Sequence, residues 1–356
     1  MTRRILVTGG AGFVGSTLAI AFKRDHPDWR VAAFDNLKRR GSELAVNRLG
    51  RSGVAFTHGD IRNPADLDGV GPLDLMVDCS AEASVHAGYG ASPRYLIDTN
   101  LAGTINCLEH LRRHGGDFVF LSTSRVYPIA ALRALPLERR GDRLALPERA
   151  AGPGWSTAGI AETFPLAGSR SLYGATKLAS ELMIEEYRDA YGLRAVINRC
   201  GVLAGPWQFG KVDQGFVALW MARHLYGGPL AFTGFGGDGL QVRDVLHVED
   251  LYDLVALQVQ QIDRWSGGVH NVGGGPAGSL SLRELTAMCA SLTGNARTID
   301  RVPETRPADV PYYVSDMRSL TQTTGWQPRR DLPGLLAEVQ RWLVDDRSRL
   351  EPLLAG

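Results

Sequence analysis

Ile5-Leu6-Val7-Thr8-Gly9-Gly10-Ala11-Gly12-Phe13-Val14-Gly15 opens the chain with a short apolar run that feeds glycines spaced Gly9-x-x-Gly12-x-x-Gly15. A helical pattern over 16–24 follows. Such a turn needs φ > 0 and lets the backbone come close to a ligand, while the helix N-terminus presents free N–H groups to an anion. Set between strand and helix, the triplet reads as a pyrophosphate site. Asp35 closes the second apolar run, Val31-Ala32-Ala33-Phe34, about 20 residues on, where the motif requires an acid. A carboxylate there accepts hydrogen bonds from a ribose diol and repels a 2′-phosphate, which favours NAD over NADP.

With 356 residues the chain has room for a large domain and a smaller one. Its 44% hydrophobic and 22% charged residues are the balance of an ordinary soluble globular protein. A formal net charge of +1 leaves no footprint for nucleic acid or an anionic membrane, so neither is expected as a partner. No apolar stretch approaches the ~20 residues that span a bilayer. Arg3 and Arg4 before an apolar run mimic a secretory leader, but the glycines cut that run short and it serves better as the first strand. Cys79, Cys107, Cys200 and Cys289 form no CxxC pair and no metal-ligand spacing. Free thiols in a reducing cytoplasm, and no metal site, are the expectation.

Strand patterns over 5–8, 31–34, 54–58, 73–79, 118–122 and 195–199 alternate with helical ones, among them 100–114 and 173–191. This alternation predicts an α/β fold, a Rossmann-type doubly wound parallel sheet over residues 1–200. On the helix over 100–114, Leu101, Ile105, Leu108 and Leu111 share a face for packing on the sheet. Residues 128–170 break the pattern with Pro128, Pro136, Pro147, Pro153 and Pro165. That insert reads as either a substrate-covering lid or a surface elaboration. Beyond residue 200 come Gly/Pro-rich turns and short helices over 214–225 and 280–292. Residues 201–356 are read as a smaller α/β substrate lobe, with some segments returning to the first domain.

Tyr173-Gly174-Ala175-Thr176-Lys177 sets a phenol and an ammonium one helical turn apart on one face. A nearby ammonium favours phenolate, which can then act as a base at neutral pH. The strand over 118–122 ends in Ser122-Thr123-Ser124-Arg125-Val126-Tyr127. It supplies hydroxyls at the carboxyl end of a central strand, where open parallel sheets bind ligands.

With these residues assembled, the chain resembles an extended short-chain dehydrogenase/reductase of the nucleotide-sugar epimerase and dehydratase group. The resemblance is carried by the glycine turn after Thr8, Asp35-Asn36-Leu37, Gly59-Asp60-Ile61, Asn100-Leu101-Ala102-Gly103-Thr104, Ser122-Thr123-Ser124, Tyr173-x-x-x-Lys177 and Gln241-Val242-Arg243-Asp244-Val245-Leu246-His247. The second half is most similar in pattern to the CDP-tyvelose (CDP-paratose 2-) epimerase subfamily, through Asp213-Gln214-Gly215, the run from Gln241, and Asn271-Val272-Gly273-Gly274.

The resemblance implies that Gly9, Gly12 and Gly15 hold the NAD pyrophosphate under Phe13 and Val14. It places Asp35 and Asn36 at the adenosine ribose, Asp60 and Ile61 beside the adenine, and Ser80 in the cofactor site. Tyr173 is implied as the base, Lys177 as the group that lowers its pKa and holds the nicotinamide ribose, and Thr123 as the partner of the reacting oxygen. Toward the substrate it implies Glu82, Ser124, Arg125 and Gln214, with Arg243 and Arg306 clamping a nucleotide diphosphate. In the 4,6-dehydratases of the group an Asp-Glu pair follows the catalytic Thr, whereas Ser124 and Arg125 stand here. The implied activity is NAD-dependent epimerisation of a nucleotide sugar through a keto-sugar, on a CDP-hexose at C2, by a homodimer. Another 4-epimerase, dehydratase or decarboxylase, or an NAD-sensing scaffold, are the alternatives. His86, His247 and Cys200 lack a base partner in sequence and are read as structural, while Trp207, after Gly205-Pro206, either stacks on a base or sugar or packs.

Overall fold

The structure, a computed structural model, describes residues 2–210 and 214–354. The chain divides into two compact units. Unit 1 comprises Met1–Val126, Leu172–Arg199 and Leu251–His270; unit 2 comprises Tyr127–Ser171, Cys200–Asp250 and Asn271–Gly356.

Unit 1 is built on seven strands: β1 (Arg4–Thr8), β2 (Arg30–Asp35), β3 (Ala55–His58), β4 (Leu75–Asp78), β5 (Asp117–Thr123), β6 (Ala195–Cys200) and β7 (Val269–Val272). Their order across the sheet is β7-β6-β5-β4-β1-β2-β3. The pairings of β1 with β2 and β4, of β2 with β3 and of β4 with β5 are parallel. The sheet is the doubly wound Rossmann-like arrangement, whose strand order reverses between β1 and β4. Reversal points of this kind are where such sheets bind ligands. Parallel central strands are covered on both faces and so read as continuous apolar runs. Accordingly β4 and β5 are buried at every residue.

Helices α1 (Phe13–Asp25), α2 (Gly103–His114) and α3 (Leu172–Tyr191) belong to this unit. One face of the sheet packs Leu6, Phe34, Phe118 and Phe120 with Cys107, Leu108 and Leu111 of α2 and Ile184 of α3. The stripe expected on the helix over 100–114 is only partly what is buried. Residues Asp98–Ala102 form a turn of π-helix, and the buried face of α2 is Thr104, Cys107, Leu108 and Leu111. The wider π turn changes the helical phase, so Leu101 and Ile105 are only half-buried while Asn100 is fully buried.

Unit 2 has its own core, which includes Val217, Met221, Leu285, Leu336, Val339 and Leu343. Its helix Leu282–Thr293 starts at a capping box in which Ser281 and Glu284 exchange side-chain and backbone hydrogen bonds. The 128–170 insert packs in this unit rather than with the first 126 residues. It forms a hairpin, Glu138–Arg140 with Arg143–Ala145, and a small antiparallel sheet, Ala151–Gly152, Trp155–Ser156 and Gly159–Ile160. The Ile160 N–H donates to the Val314 carbonyl at 2.8 Å, and the Ile160 carbonyl accepts from the Asp316 N–H at 2.9 Å. Arg143 pairs with Glu284 at 2.7 Å. Strand pairing satisfies the backbone of a proline-rich segment that its composition alone leaves looking like loop.

Candidate functional site

The glycines after β1 do three different jobs. Gly9 has φ of 60°, and a Cβ there would lie 2.7 Å from the Cys79 carbonyl oxygen. At Gly15 a Cβ would fall 2.2 Å from the Gly9 carbonyl oxygen, so this glycine lets the helix start close on the turn. At Gly12 a Cβ would meet only that same oxygen, at 3.0 Å. Gly12 is also the N-cap of α1 and offers no side chain to cap it. The first N–H groups of α1 are thus left for a ligand, beside half-buried Phe13 and Val14.

Behind the turn, fully buried Asp78 at the end of β4 accepts from Thr8 Oγ1 at 2.6 Å, from the Ser80 N–H at 3.0 Å and from Thr104 Oγ1 at 3.3 Å. It ties the start of the glycine turn to half-buried Ser80 and to α2. Two residues on, the Glu82 N–H donates to Asn100 Oδ1 at 2.8 Å. Asn100 Nδ2 donates to the Glu82 carbonyl at 3.2 Å and to Thr176 Oγ1 at 3.2 Å. The Glu82 side chain is half-buried, and its Oε1 accepts from the Ser84 N–H at 3.4 Å. Sequence reasoning quoted Asn100 only within a motif and passed over Asp78. A polar residue inside an otherwise apolar buried stretch was the available signal for both.

Tyr173 and Lys177 stand one turn apart at the start of α3, with Thr176 between them. Tyr173 is half-buried, and Lys177 is 1% exposed. The Lys177 ammonium lies 3.8 Å from the ring centroid of Phe120 on β5, a cation–π contact that helps hold a buried charge. Thr123, buried, ends β5, and its Oγ1 accepts from the Arg125 N–H at 3.2 Å. Helix α3 packs on both β5 and the 124–126 turn, which carries half-buried Ser124 and Arg125. Unit 1 therefore contains Thr123, Ser124, Arg125, Tyr173, Lys177, Glu82 and the glycine turn together.

Gln214, Arg243 and Arg306 belong to unit 2, and Asp213 lies outside the described residues. Half-buried Arg243 donates to the carbonyls of Val242 at 2.7 Å and Val310 at 2.6 Å. Among the described residues no hydrogen bond or ion pair engages the half-buried guanidinium of Arg306. Gln214 is half-buried just before Gly215, the left-handed N-cap of helix Phe216–Tyr226. His247 is structural: Nδ1 accepts from the Glu249 N–H at 3.0 Å, and Nε2 meets Glu338 at 3.1 Å. Trp207 packs on Trp342 with ring centroids 6.2 Å apart.

The model of the NAD dependent epimerase/dehydratase family matches residues 5–273. The chain belongs to that family. It is 29% identical over 352 residues to CDP-paratose 2-epimerase of Salmonella typhi, an alignment spanning 95% of this chain and 98% of the relative. It is 31% identical over 360 residues to dTDP-glucose 4,6-dehydratase of Streptomyces antibioticus, spanning 98% and 95%. Among solved structures, the UDP-glucose 4-epimerase of Thermus thermophilus in complex with NAD superposes with a TM-score of 0.73 at 29% identity, covering 95% of this chain and 98% of that one.

The family is NAD-dependent, and unit 1 fits that cofactor. Gly9 lets the turn pass close over the Cys79 backbone, and Gly12 adds no side chain where the N–H groups of α1 face a pyrophosphate. The Asp35 carboxylate ends β2 and accepts from the Ala11 N–H at 3.1 Å and the Leu37 N–H at 2.7 Å, which aims it beside the turn. Burial pushes its pKa up, against the backbone hydrogen bonds. Asp60 behaves oppositely. Burial opposes its ionisation, but hydrogen bonds from Arg62 and Asn36 outweigh that and bring it to about 2. Asn36 Nδ2 donates to Asp60 at 2.9 Å, so these two residues form one polar edge. The Ile61 side chain is buried in the core and occupies the space a Cβ at Gly103 would need. Among the described residues no cluster of His, Cys, Asp or Glu could hold a metal ion, and no helix is long and apolar enough to cross a membrane.

Proposed function

We propose that the protein is a nucleotide-sugar epimerase that works through a transient keto-sugar, on a CDP-hexose at C2. The observation that carries this reading is the pair that follows Thr123. Ser124 and Arg125 offer no carboxylate, so eliminating water from a sugar would lack its acid and base there. Epimerisation asks only for removal of a hydroxyl proton and its return. The length-wide similarity to a CDP-paratose 2-epimerase supports the choice of nucleotide and carbon.

In this reading Gly9, Gly12 and Gly15 would hold the pyrophosphate of NAD, and Asp35 with Asn36 its adenosine ribose. Asp60 would line the adenine edge, Ile61 would border it through its backbone, and Ser80 would lie on the nicotinamide side. When bound, NAD accepts a hydride from the sugar carbon and gives it back. The Tyr173 phenolate takes the proton of the C2 hydroxyl as the carbonyl forms and returns it on reduction. Lys177 stabilises the phenolate and holds the nicotinamide ribose, while Thr123 hydrogen-bonds the reacting oxygen. Between removal and return of the proton the keto-sugar would turn over in the site, so that its other face is the one reduced. Ser124, Arg125, Glu82 and Gln214 contact the sugar. Arg243 and Arg306 bind the diphosphate, since a guanidinium fork matches phosphate oxygens.

A thermal-shift screen with NAD plus CDP-, UDP-, GDP- and dTDP-hexoses tests the reading. A ligand at one hundred times its Kd stabilises by about 2.7 kcal/mol, and the CDP-hexose is expected to give the largest shift. A larger shift with a dTDP-hexose, accompanied by loss of water from it, would move the assignment to the dehydratases. We also propose a homodimer formed through the outer faces of α2 and α3, where Leu182 and Tyr191 are 56% and 58% exposed. Light scattering reads the mass directly. A reducing cytoplasm suits four cysteines that form no disulfide among the described residues.

A further inference from the structure

Below the catalytic pair, α3 carries a third polar residue on the same face. Tyr173, Lys177 and Glu181 are spaced four apart, so they stack along one side of the helix. Glu181 is 2% exposed and Arg199, on β6, is 5% exposed. The Arg199 guanidinium donates to Glu181 Oε2 from Nη2 at 2.7 Å and from Nε at 3.1 Å. The Ser122 hydroxyl on β5 donates to Glu181 Oε1. One carboxylate thus ties α3 to two adjacent strands.

A buried ion pair of this kind is a poor source of stability. Removing two charges from water costs several kcal/mol per ion, and an apolar replacement often does as well. What such a pair gives is register, since its geometry is satisfied in only one alignment of the three elements. Two further features say which alignment matters. Ser122 is the residue before Thr123. Phe120, which lies under the Lys177 ammonium, shares a strand face with Ser122. Helix α3 is therefore pinned to β5 at two points, Lys177 on Phe120 and Glu181 on Ser122, the residue before Thr123. Asp78 on β4 is a further buried carboxylate of unit 1, and it and Lys177 act in opposite senses on the Cys107 thiol.

We propose that Glu181, through Ser122 and Arg199, is a positioning residue that sets the register of α3 against β5 and so aligns Tyr173 and Lys177 with Thr123. The inference rests on the roles given to those three residues above. Ser122→Ala tests it without altering any charge, so it can change the titration of Tyr173 only through geometry. That titration is read from phenolate absorbance, as the difference from the same background carrying Tyr173→Phe, and needs no substrate. The expected result is a Tyr173 midpoint above that of wild type, with kcat lowered about tenfold to a hundredfold and KM unchanged. The paired variant Glu181→Gln/Arg199→Gln, which keeps the net charge, is expected to move both readouts further. A lower Tm for Ser122→Ala with titration and kcat unchanged would overturn the proposal and leave the trio a structural brace. If wild type converts no nucleotide sugar, the proposed function fails, while the titration still decides this inference.

Discussion

The reactive end of unit 1 and the insert of unit 2 are held over different spans of chain. The glycine turn is closed on itself by the Gly12 N–H donating to the Gly9 carbonyl at 2.9 Å, and its side-chain braces are Asp35, 24 positions from Ala11, and Asp78, 70 from Thr8. The insert is fixed at long range: Asn271 reaches Ile160 across 111 positions, Arg143 reaches Glu284 across 141, and Arg133 reaches the Asp309 carbonyl across 176. Loop-closure entropy grows only slowly with length, so such distant ties are affordable provided each buried polar group finds its partner. The comparison teaches where a change should be felt. In unit 1 a small substitution can remove chemistry and spare the fold; in the insert it should loosen the fold of unit 2.

Tyr173→Phe should break the comparison most sharply if the account is wrong. Deleting one half-buried hydroxyl is expected to lower turnover by ~10²–10⁴-fold with Tm and NAD affinity near wild type. Unimpaired turnover would remove Tyr173 from the mechanism.

In unit 2 the matching experiment is Asn271→Ala. Fully buried Asn271 accepts from the Tyr127 hydroxyl at 2.7 Å and donates to the Ile160 carbonyl at 2.8 Å. Leaving those two groups unpaired is expected to cost about 1–3 kcal/mol. Amide exchange should meanwhile rise at 159–160, where the Ile160 N–H bond to Val314 is expected to protect the wild type without any ligand. Rapid exchange of that segment in the wild-type protein would contradict this account of the insert and favour a mobile lid.

The glycines sharpen the contrast inside unit 1. Gly15→Ala puts a Cβ against backbone and is expected to cost about 1–3 kcal/mol of stability as well as NAD binding. Gly12→Ala meets only one atom, at 3.0 Å, and should weaken NAD binding with little change in Tm. Equal destabilisation by the two, measured by denaturant melts, would contradict the division of labour.

The smallest effect is a pH dependence. The Asp35 pKa is raised by burial, so its carboxylate is lost at a higher pH than an ordinary aspartate's as acid is added. NAD affinity and the preference for NAD over NADP should therefore both fall as pH drops, starting above the usual aspartate range of about 3.9. Calorimetric titrations should show this in wild type and not in Asp35→Asn.

The same contrast explains what could be read from residues alone. Strand-to-helix alternation and the glycine spacing are local patterns, and they led to the Rossmann-like sheet and to a family with NAD chemistry. The phase of the helix over 100–114 was misjudged because a π turn at Asp98–Ala102 has no periodic signature. The insert's strands escaped notice because they are two or three residues long, too short to show an alternating pattern. Glu181 and Asp78 were hidden for a related reason. Their value lies in hydrogen bonds to Ser122, Arg199, Thr8 and Thr104, which only the packed sheet brings together.

The central claim is that one hydrogen leaves the sugar carbon and comes back to it. The most direct test is to incubate the NAD-loaded protein with CDP-paratose deuterated at C2 and follow the product by NMR. The account predicts the C2 epimer with its deuterium still at C2. An epimer that has exchanged the deuterium for solvent hydrogen would show that C2 is inverted by proton abstraction, and would contradict it.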